Sequence, residues 1–157
     1  MKKISLRARA LNYLSRREMS RAELATKLTP FAESKEELDA LLQEFGARNW
    51  QSDERYTENF MASRSKKYGS RRLTEELKNK VVDPDLIRSH KLDKATEVEN
   101  ALAVLQKKFT QLPQTPEEKN KQMRFLAYRG FDFEVVHQAF SLWKEAQDNL
   151  SEEAELS

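Results

Sequence analysis

Apolar residues along this chain recur at intervals of three and four positions. Leu38, Leu41, Leu42 and Phe45 make one stripe, and Tyr56 and Phe60 a second. Val98, Leu102, Leu105 and Phe109 make a third, and Phe133, Val136, Phe140 and Trp143 a fourth. A stripe of this period covers one side of an α-helix, and its usual role is to face a core. Strand signals are absent from the sequence. The pattern predicts helices over 5–17, 21–28, 34–46, 53–67, 71–80, 84–91, 93–109, 116–129 and 132–147. Only three glycines and four prolines occur, nearly all where a helical pattern stops. Asp83-Pro84 and Thr115-Pro116 each place a capping side chain before a proline at the first helical position. Thr115 with Glu118, and Ser20 with Glu23, have the spacing of capping boxes.

The helices are arranged as a repeat. Tyr13-Leu14-Ser15-Arg16-Arg17-Glu18-Met19-Ser20 can be laid on Phe125-Leu126-Ala127-Tyr128-Arg129-Gly130-Phe131-Asp132, and Leu24 then falls on Val136 and Leu28 on Phe140. Each copy is a helix, a tight turn ending in a Ser or Asp cap, and a second helix. The stretch from Phe60 through Tyr68-Gly69-Ser70 to Lys80 has the same plan with a longer turn. Tandem units of this kind bury their faces on their neighbours. The expected fold is therefore all-α, with tandem three-helix repeats over 1–50, 51–92 and 93–148, forming an elongated, curved array. The segment 149–157 is acidic, lacks apolar periodicity, and is expected to be a disordered tail.

Composition narrows the chemistry. Charged residues make up 34% and hydrophobic ones 38%, which leaves little material for a thick core and favours thin layers of helices. With no cysteine there is no disulfide framework, thiol nucleophile or thiolate zinc site, and a reducing, cytoplasmic setting is expected. The start MKKISLRARALNYLSRR is interrupted by Arg7, Arg9, Asn12 and Ser15, so neither a signal peptide nor a membrane span is expected there. His90 and His137 are isolated from any Cys, Asp or Glu at metal spacing, and read as surface or interhelical side chains. Asp53-Glu54 are adjacent on a helix, so they do not face each other and read as favourable first-turn charge. No catalytic residue, metal site, cofactor or small-molecule substrate is expected.

Binding fits better. Residues 63–72 read SRSKKYGSRR, placing Arg64, Lys66, Lys67, Arg71 and Arg72 around Tyr68-Gly69 with no acid between them. A charge run of this kind is commonly a solvated face whose long stems cover apolar neighbours. It can equally present forked and point-charge donors to a carboxylate or phosphate partner. Tyr68 is expected to pack in the turn and Gly69 to supply a left-handed backbone. Arg16, Arg17 and Arg21 form a second basic group near the start.

One family shares these residues in order. Tyr13-Leu14 with Arg17, Ser20-x-x-Glu23-Leu24-x-x-Lys27-Leu28 and Ser52-Asp53-Glu54-Arg55-Tyr56 come first. Phe60-x-x-x-Arg64, Tyr68-Gly69, Arg72-Leu73-x-x-Glu76-Leu77-x-x-Lys80 and Phe125-Leu126-x-x-Arg129-Gly130-Phe131 follow. The set covers roughly residues 8–143 and resembles the RecX family. The resemblance implies an all-helical, non-enzymatic protein of tandem three-helix repeats that binds the RecA recombinase filament. It implies chiefly inhibition of strand exchange, ATP hydrolysis and co-protease activity, and so a place in homologous recombination, DNA repair and the SOS response. This chain has Lys67 and Val81 where the family often has glycine, so the middle turn is expected to be stiffer or differently angled. Local charge then nominates Arg16, Arg17, Arg21, Arg64, Lys66, Lys67, Arg71 and Arg72 as contacts to the filament or to DNA. Two other classes compete: an independent helical DNA-binding module, and a helical adaptor for another acidic protein.

Overall fold

The computed structural model describes residues 3–156, and every regular element among them is helical. In order these are α1 (Leu6–Arg16), α2 (Arg21–Leu28), a 3-10 turn (Thr29–Phe31), α3 (Lys35–Ala47), α4 (Asp53–Arg64) and α5 (Ser70–Asn79). Then come α6 (Pro84–Ser89), α7 (Lys94–Lys108), α8 (Pro116–Tyr128) and α9 (Phe133–Leu156). The fold is all-α, as the periodicity predicts.

Side-chain caps set most helix starts. Ser5, Ser20, Ser34, Asp93, Thr115 and Asp132 each accept a hydrogen bond from the amide three residues on. At Ser20 the capping box is complete, with the Glu23 carboxylate accepting from the Ser20 amide. The Thr115 box closes differently: Glu118 reaches past the cap and accepts from the Gln114 amide at 2.7 Å. Two helix ends depart from expectation. α4 stops at Arg64, where the carbonyl takes the amides of both Lys67 and Tyr68 at 3.0 Å and turns the chain. α9 runs on through the segment expected to be disordered, although residues 144–156 are all exposed. Packing does not hold that extension; the Glu, Ala, Leu and Gln residues in it are strong helix formers. Ser157 of the expected tail lies outside the described residues.

The chain packs as two compact units: residues up to Phe60 together with Glu76–His90, and Met61–Glu75 together with residues from Lys91 onward. The first unit has a core of Leu6, Ala10, Met19, Leu24, Leu28, Leu38, Leu42 and Phe45. In the second, α7 packs on α9, and Val98, Ala101, Leu105, Leu126, Phe131, Val136, Phe140 and Trp143 are buried together. The aligned positions of the repeat share their fate: Met19 and Phe131, Leu24 and Val136, and Leu28 and Phe140 are all buried. Phe133 does not join the core as its stripe predicts. It stands in the first turn of α9, 71% exposed, and stacks on His137 one turn later at 5.7 Å.

Three helices end in the same device. Asn49 (φ 59°), Val81 (φ 57°) and Gly130 (φ 95°) are the positive-φ residues among those described. Each is the left-handed residue of a Schellman motif, with the paired backbone bonds Trp50 N–H to Phe45 O, Val82 N–H to Leu77 O, and Phe131 N–H to Leu126 O at 2.9–3.2 Å. The motif brings an apolar pair to each corner, as in the edge-to-face contact of Phe45 and Trp50 at 5.2 Å. Asparagine and glycine tolerate that backbone, whereas β-branched Val81 is strained in it.

Candidate partner-binding corner

The α4–α5 corner is fastened to the α8–α9 corner through two glycines. The Gly69 amide donates to the Arg129 carbonyl at 2.9 Å, and the Arg71 amide donates to the Gly130 carbonyl at 3.2 Å. A Cβ on Gly69 would overlap the Gly130 carbonyl and the Phe131 amide nitrogen, and one on Gly130 would overlap Arg72. Gly69 is therefore required for close backbone approach and has no left-handed φ; that conformation belongs to Gly130. Nearby, Glu97 of α7 is buried and accepts from the Ser70 amide at 2.8 Å, capping the start of α5 from another helix.

This anchoring organises the basic run. Tyr68 is half-buried in the turn, with the Arg72 guanidinium 4.0 Å from its ring centroid, Arg64 at 5.2 Å and Arg129 at 5.6 Å. Arg71 reaches the Ala127 carbonyl with Nη2 at 2.6 Å, adding a side-chain donor to an acceptor that already takes the Gly130 amide at 3.0 Å. Lys66 and Lys67 are exposed, and their ammonium groups form no ion pair among the described residues. The structure thus brings all five cations of 64–72 onto one corner, with the arginines shaping it and the lysines presented to solvent.

The N-terminal group belongs to the other unit and is used differently. Arg17 pairs with Glu23 at 2.8 Å, and Lys80 approaches the same carboxylate at 3.5 Å. Burial pushes the Glu23 carboxyl up, but the Arg17 hydrogen bond, the charges of Arg17 and Lys80 and the Ser20 amide together hold it below the ordinary carboxylate range. The Glu23 hydrogen bond in turn raises Arg17, against the opposing effect of burial. Ser20 donates to the Lys80 carbonyl at 3.1 Å, tying α2 to the end of α5. Arg16 and Arg21 are exposed; the Arg21 amide donates to Asp53, which also accepts from Gln51, so Asp53 fastens α2 in addition to opening α4.

Cations that the linear run does not contain also reach the α4–α5 corner. Lys107 and Lys108 from the end of α7, and Arg129 from the end of α8, join Lys66 and Lys67 around a groove of about 620 Å³. Its remaining lining is Tyr68, Ala103, Val104 and Phe125. Arg129 lies 5.1 Å from the Phe125 ring and donates to the Lys67 carbonyl at 3.3 Å. Nothing local in the sequence marked Lys107, Lys108 or Glu97. His90 is satisfied by the Leu86 carbonyl at 3.0 Å. Among the described residues no group of three His, Cys, Asp or Glu could hold a metal, and no helix is long and apolar enough to cross a membrane.

Comparison with known proteins agrees with this architecture. Residues 52–89 match the family model of the second three-helix domain of RecX, and residues 95–140 that of the third. The chain is 49% identical over 142 residues to the regulatory protein RecX of Neisseria gonorrhoeae (strain NCCP11945), covering 90% of this chain and 93% of the relative. It is 46% identical over 137 residues to that of Chromobacterium violaceum, covering 87% and 90%. The crystal structure of RecX from Lactobacillus salivarius superposes with a TM-score of 0.77 at 17% identity, over 87% of this chain and 92% of that one. A second RecX crystal structure gives a TM-score of 0.75 at 18% identity, over 85% and 70%. The two structures carry the likeness of fold, and the sequence matches carry the kinship: the chain belongs to the RecX family of regulatory proteins.

Proposed function

We propose that this protein regulates the RecA recombinase by binding in the groove of the RecA–DNA filament, chiefly as an inhibitor of strand exchange, ATP hydrolysis and co-protease activity, with no catalytic step of its own. Family membership supports the regulatory role. The observation that carries the binding surface is the α4–α5 corner, where Arg64, Lys66, Lys67, Arg71 and Arg72 are held together on a backbone sealed by Gly69 and Gly130. Such a corner loses little conformational entropy on meeting an acidic protein surface, because its arginines are already placed. Arg16 and Arg21 offer a second exposed contact, beside an Arg17 that its pairing with Glu23 holds to the fold. Tandem three-helix repeats would span neighbouring recombinase subunits and hinder their rearrangement, in a cytoplasmic setting. Co-sedimentation with RecA assembled on single-stranded DNA tests the proposal, with RecA ATPase read in parallel. The protein should pellet with the filament and lower the ATPase rate; a protein that stays in the supernatant and leaves the rate unchanged would overturn it.

A further inference from the structure

We infer that the groove between the α4–α5 turn, α7 and the end of α8 is a binding site for the sugar–phosphate backbone of a single nucleic-acid strand, contacted directly by this protein. Five cations line it, and no carboxylate does among the described residues. Gathering Lys66, Lys67, Lys107, Lys108 and Arg129 around one concavity raises their mutual repulsion, and an anion in the groove relieves it. The α9 side of the same unit shows the alternative: there Lys94 is neutralised by Glu134. No such neutralisation reaches the ammonium groups of the four groove lysines among the described residues.

The composition of the lining separates phosphate from carboxylate as the matching anion. Four of the five cations are lysines, mobile point charges that track a backbone, whereas carboxylate recognition favours the bidentate fork of arginine. The one arginine, Arg129, is placed between the rings of Tyr68 and Phe125, at 5.6 and 5.1 Å from their centroids. Tyr68 and Phe125 are each half-buried, so part of this layered floor remains accessible for base stacking. Shape separates strand from duplex. Reading a duplex major groove requires a protruding helix or ribbon, whereas a concave, cation-lined channel with an aromatic floor suits an unpaired strand.

Fluorescence anisotropy of a labelled oligothymidylate, titrated with the full chain and no recombinase present, tests this site independently of the RecA proposal. Saturable binding is expected at low salt, with a log–log salt slope of about −3 for four to five phosphate contacts, or roughly 60-fold weaker binding between 50 and 200 mM salt. Lys107→Glu/Lys108→Glu should weaken binding by at least about tenfold, and Lys107→Gln/Lys108→Gln should make the salt slope shallower by about 1.4. Arg124→Glu, an exposed cation of α8 outside the groove, should change affinity less than about twofold, as a charge that contacts no phosphate does. The lysines are exposed, so circular dichroism should show unchanged helicity. The inference is overturned if no binding occurs at 50 mM salt, or if Arg124→Glu weakens binding as much as the lysine reversals. It is equally overturned if duplex binds as tightly as the single strand, or if polyglutamate displaces the oligonucleotide as well as unlabelled strand does.

Discussion

The α1–α2 corner and the α4–α5 corner carry similar densities of basic residues, yet they spend them on different things. At the first, a nearly buried carboxylate, Glu23, draws in Arg17 and Lys80, and the cations become part of what holds α2 to the end of α5. At the second, Tyr68 takes that central place. An aromatic ring gathers Arg64, Arg72 and Arg129, and Lys66 and Lys67 stay in solvent. What lies at the centre of a basic cluster, a carboxylate or a ring, decides whether the cations are structural or available. Counting bases along a sequence does not make that distinction.

The largest effect on the comparison should come from the glycine seal. Gly69→Ala forces a Cβ against the backbone of Gly130 and Phe131, which cannot yield as a flexible side chain would, and should cost about 3 kcal/mol in urea unfolding. A cost below about 1 kcal/mol would mean that the α4–α5 and α8–α9 corners are not locked by close backbone approach.

Removing the carboxylate comes next. Glu23→Ala leaves Arg17 and Lys80 without their partner and should cost about 2 kcal/mol. Lys66→Glu/Lys67→Glu should stay within about 0.5 kcal/mol of wild type, because nothing in the fold depends on those charges. Equal costs at the two sites would erase the distinction drawn between them.

A smaller change, of opposite sign, is expected at the end of α5. Val81→Gly relieves a β-branched residue at φ 57°, a strain of about 1–2 kcal/mol, against the greater flexibility glycine gives the unfolded chain. The net should be a gain of roughly 0.5–1 kcal/mol, seen as a higher unfolding midpoint. A loss would show that the valine side chain has packing value that its 71% exposure does not suggest.

The mildest test is pH. The folded state holds Glu23 below its ordinary value of 4.5, so this group's stabilisation is fully present above that value and is lost as pH falls below it. Wild type should lose more stability than Glu23→Gln across that acid range, and parallel curves would remove Glu23 from the account.

Much of this was readable in the chain. Caps at Ser20, Thr115 and Asp132 and the stripes of α3, α7 and α9 are local signals, so they survive without knowledge of the fold. The same locality misled at Gly69: a glycine at a helix end ordinarily signals left-handed backbone, but here the reason is a backbone some sixty residues away in sequence, at Arg129 and Gly130. Lys107, Lys108 and Glu97 were out of reach for the same cause, since only folding brings α7 beside the turn. At α9 the acidic end lacks an apolar stripe, and its helix rests on residue propensity that a search for packing faces does not register.

The central claim is that the α4–α5 corner offers its lysines to a partner while the α1–α2 corner keeps Arg17 for the fold. The most direct test titrates wild type and Lys66→Glu/Lys67→Glu against RecA ATPase on single-stranded DNA, with each variant's unfolding midpoint measured alongside. The account predicts that the variant needs at least about ten times more protein for half-inhibition, equivalent to 1.4 kcal/mol of lost binding, with no change in its midpoint. Half-inhibition at the wild-type concentration would contradict it.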